Sequence, residues 1–324
     1  MPKFAGHEKD LKTAKAFNVD MIAYDEKKFV KFKWYFPLFL PIIIFLSSIG
    51  ILNFYRTMYY FRNYTDLNRY IKNQLQNRMY QRYDKVLWIK AAGIDTNIIE
   101  ADGMRKEDRY LYLYDPVARY PRLIRSFIFF ERVFTFDPSD SNVYEIEYAP
   151  MFTDMQCQTS KSSIFHPKID LVYVGSFTLR RFISCTIMQM FSKGQKYRLI
   201  LVNGFLFDAT IFGVEFRKIN ISRTELFDIY SDARLIFELR DLDQSGPSQR
   251  MNDSLNLGLP YLSIPCVNLK EIIKYYKLNL TVNALLNREN EKTPSFSARL
   301  ESEKQLNSDD FLIKVLNLEK QSDY

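Results

Sequence analysis

The stretch 238–263 constrains the fold most, because its pattern predicts a strand, a glycine loop, a helix and a second strand in immediate succession. The loop leads into a helix that carries Arg250 and Asp253, one helical turn apart. A glycine loop that opens a helix presents unpaired backbone N–H groups to an anion. An arginine and a carboxylate at this spacing suit a phosphate and a ribose, so the stretch predicts a nucleotide-sugar site.

Strands and helices alternate over most of the chain, which predicts an α/β fold with parallel sheets covered on both faces. The predicted strands are 84–90, 110–115, 132–136, 169–175, 197–202, 214–219, 233–239 and 261–264. Helices are expected at 65–83, 96–104 and 178–191, and a capping box at 222–225 opens another that ends at Tyr230. Residues 151–167 lack periodicity and are typical of a linker.

This organisation predicts two Rossmann-like domains that face each other across a cleft, with the ligand at the carboxyl ends of the strands. We expect an N-terminal domain at 1–160 with a hydrophobic insertion at 34–54, a C-terminal domain at 161–290 and a charged tail at 291–324. A length of 324 residues fits two domains of ordinary size, and a hydrophobic content of 47% is ample for their cores.

Residues 34–52 form an apolar run without a charged side chain, about as long as a bilayer-spanning helix requires. Pro37 and Pro41 lie in its first half, and positive charge flanks both ends, so the run has no preferred orientation. A predicted helix at 8–17 and a predicted strand at 19–24 precede it, and a span would separate them from the rest of the domain. We therefore favour a membrane-associating interfacial or buried element, with a true span as the alternative.

The charge and the reactive residue types narrow the possible functions. The formal net charge is +7, and the basic residues crowd the first third of the chain. They favour an anionic membrane surface, a phosphorylated substrate or nucleic acid, unless they are simply solvated helix faces. The three cysteines lie far apart without metal-binding spacing, which is typical of reduced thiols in the cytosol. With two histidines, neither a histidine-based metal site nor a Ser-His-Asp triad is expected.

Several short motifs follow one another along the chain. They are YLYD at 112–115, FDPSD at 136–140, YAP at 148–150, YVG at 173–175 and Q-S-G-x-x-x-R-x-x-D-x-L-x-x-G at 244–258. Over residues 1–290, their order and spacing resemble bacterial GT-B glycosyltransferases of the CgeB-like and lipopolysaccharide or capsule biosynthesis groups. Two features depart from that group. The strand that normally precedes the loop at 4–8 is missing, and Asp253 stands where the group usually has Glu.

The resemblance and the site chemistry together imply a donor site in the C-terminal domain. Its expected residues are Gly175, Ser176, Arg180, Gln244, Ser245, Gly246, Arg250 and Asp253. Arg250 would hold the diphosphate, and Asp253 would accept hydrogen bonds from the ribose. The structural alternatives are a surface ion pair between Arg250 and either Asp253 or Asp243, and a solvent-facing Asp253 that supports the helix dipole.

A general base must deprotonate the acceptor hydroxyl, and Asp115, Asp137 and His7 are the candidates. The sequence does not separate them, and a structural role is the alternative for each. The D-x-D motif at 241–243 suits a divalent cation but belongs with a different transferase architecture. We therefore expect no metal and no cofactor, with the nucleotide-diphosphate sugar as substrate.

The expected function is metal-independent transfer of a sugar from a nucleotide-diphosphate donor to a surface-polysaccharide or lipid-linked acceptor. The expected location is the cytoplasmic face of the inner membrane, as a peripheral or single-pass protein. The alternative is a non-catalytic, membrane-associated structural or assembly subunit with a degenerate transferase fold. Nucleic acid is not an expected partner, because the basic and aromatic stretch 54–83 lacks any zinc, helix-turn-helix or RNA-binding signature.

Overall fold

A computed structural model describes residue 22 and residues 26–48, 51–78, 83–151, 167–190, 192, 194–202, 208–218, 221–240, 248–257 and 259–265. Several predictions lie outside these residues: the helix at 8–17, most of the strand at 19–24, His7, the loop residues Gln244, Ser245 and Gly246, the D-x-D motif, most of the linker and the tail at 291–324.

The helices are α1 (Glu26–Phe29), α2 (Phe36–Ser48), α3 (Phe54–Phe61), α4 (Thr65–Arg78), α5 (Thr96–Glu100), α6 (Pro138–Tyr144), α7 (Leu179–Met190), α8 (Arg223–Ser231) and α9 (Gln249–Leu257). Short 3-10 helices are Lys106–Asp108, Val117–Arg119 and Pro121–Phe129. The strands are β1 (Lys31–Phe32), β2 (Arg62–Asn63), β3 (Val86–Ile89), β4 (Arg109–Leu113), β5 (Arg132–Thr135), β6 (Glu147–Tyr148), β7 (Ile169–Ser176), β8 (Tyr197–Val202), β9 (Ala209–Ile211), β10 (Val214–Arg217), β11 (Ala233–Arg240) and β12 (Tyr261–Pro265).

The first large sheet is parallel, and its strands follow the chain in the order β3-β4-β5-β6. Every residue of β4 is buried, because its alternating side chains enter two different cores. Leu111 packs with the α4 and α5 side, whereas Tyr112 packs with Phe134 and Phe136 on the other side. Within the described strands of this sheet, the strand order does not reverse, as it does in a complete Rossmann sheet.

The second sheet has that reversal. Its order is β12-β11-β7-β8-β10-β9, and the neighbours are parallel except for the antiparallel edge pair β9 and β10. Number the five parallel strands β7, β8, β10, β11 and β12 from 1 to 5. From β10 to β12, they lie across the sheet in the order 3-2-1-4-5, as in a Rossmann half. The order reverses between β7 and β11, where two crossovers leave in opposite directions. The sequence did not predict β9.

The hydrophobic run at 34–52 contains α2, a helix of 13 residues. Phe36, Ile43 and Ser47 face inward, whereas Leu38 and Phe45 are exposed. Within the described ranges, none of the helices combines the length and the apolar character that crossing a lipid bilayer requires. Helix α2 therefore buries one apolar face against the rest of the protein and exposes a second apolar face to solvent.

Most predicted elements lie where the periodicity places them, with ends that differ by a few residues. The predicted helix start is confirmed, because the Ser222 hydroxyl accepts a hydrogen bond from the backbone N–H of Glu225 at 3.2 Å, which is the serine half of a capping box. The expected helix at 96–104 is shorter and ends at Glu100. The apolar residues that precede β5 form a 3-10 helix, Pro121–Phe129.

Candidate functional site

Arg250 lies at the point where the strand order of the second sheet reverses. It is the second residue of α9, whose first turn is capped by the Ser248 hydroxyl, which accepts from the Arg250 N–H at 3.1 Å. The guanidinium donates from Nε to the Val174 carbonyl on β7 at 2.6 Å and from Nη1 to Glu238 Oε1 on β11 at 3.0 Å. Arg250 therefore bridges the two strands that flank the switch point, near their carboxyl ends.

Glu238 is a buried carboxylate beside the apolar residues Phe237 and Leu239 of β11, and its partners explain how burial is tolerated. Besides Arg250, it accepts a short hydrogen bond from the Tyr261 hydroxyl and a longer one from Ser263 on β12. A carboxylate that is 3% exposed needs such partners, because an unpaired buried charge is costly. Burial, and then the charge of Glu238, raise the pKa of Tyr261, so the phenol remains a hydrogen-bond donor.

Asp253 is also buried and forms an ion pair. Arg223, at the start of α8, donates from Nη2 to Asp253 Oδ1 at 2.8 Å and from Nη1 to Oδ2 at 3.2 Å. The side chain of Asp253 is 2% exposed, so the structural alternative of a solvent-facing aspartate is wrong. The alternative ion pair between Arg250 and Asp253 is also wrong, because Arg250 pairs with Glu238 and Asp253 pairs with Arg223.

Gly175 lies inside β7, opposite Leu201, and the expected glycine turn therefore begins after Ser176. A side chain at position 175 would meet the Tyr173 hydroxyl, since an added Cβ would lie 2.1 Å from it. The Tyr173 ring in turn lies 5.5 Å from the Arg250 guanidinium carbon. The missing side chain of Gly175 thus leaves room for an aromatic ring that packs against Arg250.

The two arginines at the start of α7 contact the N-terminal part of the chain. Arg180 donates from Nε to the Ser47 carbonyl at the end of α2, at 2.6 Å. Arg181 donates from Nη1 to the Ser176 carbonyl at 3.1 Å and to the Tyr55 hydroxyl at 3.5 Å. Arg181 is buried close enough to Arg250 for their charges to interact. Helices α2 and α3 therefore pack directly against the helix that follows β7.

Asp115 follows the carboxyl end of β4 and sits between two cations. Lys90 Nζ lies 3.5 Å from one carboxylate oxygen, and Arg119 Nη1 lies 2.9 Å from the other. Burial alone would raise the pKa of Asp115, but the charges and hydrogen bonds of Lys90 and Arg119 outweigh burial and lower the pKa below its ordinary value. Asp115 is thus a partly exposed, ionised carboxylate at the edge of the first sheet.

Asp137, the second candidate base, lies at the carboxyl end of β5 and caps α6. Its Oδ1 accepts a hydrogen bond from the Ser139 N–H at 2.9 Å, and its own N–H donates to the Thr135 hydroxyl at 3.1 Å. Asp137 is buried at 1% exposure. These contacts give it a clear structural role at the start of a helix that begins with proline.

The carboxyl edges of both sheets meet at α9. Asn252 donates from Nδ2 to the Met151 carbonyl, just after β6, at 2.6 Å. Tyr114, just after β4, is half-buried; burial, and then the charges of Asp115 and Asp253, raise its pKa to about 12 against the opposing charges of Arg223 and Lys90. The helix that carries Arg250 and Asp253 therefore also contacts the first sheet at the strand ends that precede Asp115.

Comparison with known proteins gives weak likenesses. No family model matches the chain, and no curated protein matches its sequence. Similar solved structures include the Glycosylation Associate Protein (Gap123) complex from Streptococcus agalactiae, at 13% identity and a TM-score of 0.36, covering 72% of this chain and 56% of that one.

Two further solved structures are a glycotransferase of kitacinnamycin and the spinosyn forosaminyltransferase SpnP. The first has 14% identity and a TM-score of 0.40, covering 73% of this chain and 74% of that one. The second has 13% identity and a TM-score of 0.35, covering 79% and 83%. At such TM-scores, the likenesses establish neither a family nor an activity for this chain.

Sequence reasoning did not assign roles to Glu238, Tyr261, Arg223, Lys90 and Arg119. A signal for Glu238 exists, because a single carboxylate within the apolar strand Ala233–Arg240 requires a buried partner. Arg223 follows the capping serine of a helix, and nothing local connects it to Asp253. Within the part of the chain that the structure describes, no group of three or more His, Cys, Asp or Glu side chains is arranged to hold a metal ion.

Proposed function

We propose that this chain is a GT-B-type glycosyltransferase that takes a sugar from a nucleotide-diphosphate donor. The observation that carries the proposal is the position of Arg250, which bridges β7 and β11 at the switch point of the second sheet. In open α/β sheets, ligands bind outside the carboxyl ends of the strands where the strand order reverses. A guanidinium held at that point is a suitable partner for a diphosphate.

The atoms of Arg250 divide between support and ligand binding. Nε and Nη1 are engaged by Val174 and Glu238, whereas Nη2 makes no hydrogen bond to any described residue. The Arg250 side chain as a whole is 21% exposed. We assign Nη2 and the first N–H groups of α9 to the leaving diphosphate, whose developing charge they would stabilise.

The remaining donor contacts would come from the loops around Arg250. Ser176 is exposed at the end of β7, and Gly175 and Arg180 flank the same turn. The loop residues Gln244, Ser245 and Gly246 precede α9 in sequence and would add backbone donors to the phosphates. We assign Asp253 to the ribose from its position on α9; because its side chain is 2% exposed and both oxygens accept from Arg223, this contact requires that ion pair to open.

The acceptor would lie against the carboxyl edge of the first sheet. Of the two described base candidates, Asp115 keeps more exposure than Asp137 and is not a helix cap. We therefore assign Asp115 to the acceptor hydroxyl, with His7 and Asp137 as the alternatives. We also propose that the acceptor is lipid-linked or a growing surface glycan, and that the chain acts peripherally at the cytoplasmic face of the inner membrane.

The proposed mechanism uses a carboxylate at the edge of the first sheet and the positive charge of Arg250 at the edge of the second. The acceptor oxygen attacks the anomeric carbon as a carboxylate near the first sheet accepts its proton, and the bond to the diphosphate oxygen breaks. The negative charge then collects on the diphosphate beside Arg250 and the start of α9. We propose that this fixed positive charge serves in place of a metal ion.

Release of nucleoside diphosphate tests this function directly. The full chain would be incubated with UDP-, GDP-, dTDP- and ADP-linked sugars, each with and without a bacterial lipid extract as acceptor. The proposal predicts release from one nucleotide class that increases when acceptor is present. A folded chain that binds none of these nucleotides and releases none would instead support the alternative, a non-catalytic, membrane-associated structural or assembly subunit with a degenerate transferase fold.

A further inference from the structure

Helices α2 and α3 and the 3-10 helix Pro121–Phe129 form one continuous surface, which we call the apolar-basic surface. Phe61 of α3 packs its ring 5.5 Å from Phe36 and 5.8 Å from Phe39 of α2. Tyr60, also on α3, lies with its ring 5.3 Å from the guanidinium carbon of Arg122 in the 3-10 helix. The three elements are thus joined by aromatic contacts.

The exposed side chains of this surface are large and apolar. Along α2, residues 38, 42 and 45 follow helical spacing and lie on one face, opposite the buried Phe36 and Ile43, and Trp34 lies just before the helix. Trp34 is 86% exposed, Leu38 71% and Phe45 61%. The 3-10 helix adds Ile124 and Ile128. Ten of the thirteen large apolar side chains that are exposed in the described ranges lie in 32–60 or at 124 and 128, so the exposure is concentrated.

The charges on the apolar-basic surface have a single sign. The three elements contain no aspartate or glutamate, and their charged residues are Arg56, Arg122 and Arg125. The cations Lys33, Arg56, Arg122 and Arg125 are exposed. An apolar face with cationic neighbours and an exposed tryptophan at its end suits the interface of an anionic bilayer. A soluble protein partner would need acidic side chains spaced around the same apolar residues.

We propose that the apolar-basic surface docks on a bilayer that contains anionic phospholipid, and that α2 lies in the plane of the interface. The docking does not depend on glycosyl transfer, but it would fix the orientation of the candidate donor site. Ser47 at the end of α2 accepts from Arg180, and Tyr55 of α3 accepts from Arg181, in the helix that follows β7. A docked α2 would therefore hold the carboxyl edge of the second sheet at a set distance from the lipid.

Flotation with lipid vesicles tests the docking. The full chain would be mixed with vesicles of phosphatidylethanolamine and phosphatidylglycerol, or of phosphatidylcholine alone, at 0.1 M salt. We expect at least about tenfold stronger binding to the anionic vesicles, because each of several surface cations contributes near an anionic surface. Equal binding to both vesicle types, or to neither, overturns the proposal.

Two surface variants separate the apolar and basic contributions. Leu38→Ser with Phe45→Ser should weaken vesicle binding about tenfold or more, because two exposed side chains no longer enter the interface. Arg122→Gln with Arg125→Gln should weaken binding to anionic vesicles roughly 30-fold and leave binding to neutral ones unchanged. If either pair binds like the wild type, the surface is not the docking site.

A matched control uses apolar residues that are equally exposed elsewhere. Met190 is 73% exposed and Phe212 is 71% exposed, both in the second half of the chain. Met190→Ser with Phe212→Asn should leave vesicle binding unchanged, and asparagine tolerates the positive φ of position 212. Size-exclusion chromatography gives the competing result: if the wild type forms a dimer that Leu38→Ser with Phe45→Ser dissociates, a second copy covers this surface and the proposal fails.

Discussion

Arg250 donates its Nε hydrogen to the main-chain carbonyl of Val174 at 2.6 Å, which ties the start of α9 to the first strand of the second sheet. The same guanidinium pairs with Glu238 on the fourth parallel strand. One side chain therefore joins the two strands between which the order of the sheet reverses. A buried carboxylate holds the guanidinium there, and we propose that this arrangement prepares the switch point for an anion.

The first prediction concerns the buried ion pair. Arg250→Met should lower the free energy of unfolding by about 3 kcal/mol, because it leaves Glu238 buried without its cation. Adding Glu238→Gln should recover part of the loss, with a coupling of about 1–3 kcal/mol in urea denaturation. Arg198→Met is the control, because its pair with Glu215 is about one third exposed, and it should cost less than about 1 kcal/mol. Strict additivity of the two site variants would show that the pair does not act as a unit.

The second prediction concerns Asp115 and pH. Its folded-state pKa is lowered, so its ion pairs with Lys90 and Arg119 stabilise the fold above the unfolded-state pKa of about 4, and this stabilisation is lost as the pH falls through the folded-state pKa. Asp115→Asn should therefore be less stable than the wild type at pH 7, and the difference should shrink below about pH 4. Denaturant titrations from pH 7 to pH 3 measure it. A difference that grows on acidification would contradict the contact with the two cations.

The third prediction concerns the close approach of Gly175 and Tyr173. Gly175→Ala should destabilise the chain by about 1–3 kcal/mol, because the new methyl group would overlap the Tyr173 ring. In a Tyr173→Leu background, the same change should cost clearly less, since the ring is gone. Gly103→Ala is the comparison at a glycine with open space around it, although its φ of 74° adds local strain. An equal cost of Gly175→Ala in both backgrounds would remove the ring as its cause.

The sequence predicts the layout of the second half well and its side-chain contacts poorly. Strands β7, β8 and β11 are strongly apolar runs bounded by polar turns, so their presence and approximate ends follow from composition. The edge strand β9 is short and half-exposed, with no periodic signal, and it was missed. The strand order, which creates the switch point, is decided by long-range pairing and is not encoded in any local pattern.

For the candidate site too, the sequence predicts local positions but not long-range contacts. Arg250 and Asp253 lie on one helix, as the sequence predicts, but their partners lie 12 and 30 residues away in sequence, on β11 and α8. Local spacing suggests that the two residues pair with each other, and only the packing of three elements shows that they do not. The roles of all the expected donor residues and base candidates in binding or catalysis stay predictions.

The most direct test of the central claim is calorimetric titration of the wild type and two arginine variants with the nucleotide-diphosphate sugar that the wild type turns over. Arg250→Lys keeps the charge at the switch point but loses the fork, and it should bind about 10- to 100-fold more weakly. Arg234→Lys alters the Arg234–Asp170 ion pair between the same two strands at their amino ends, and it should bind like the wild type. Equal affinity in all three proteins, or an equal loss in both variants, would contradict a donor site at the carboxyl edge of the second sheet.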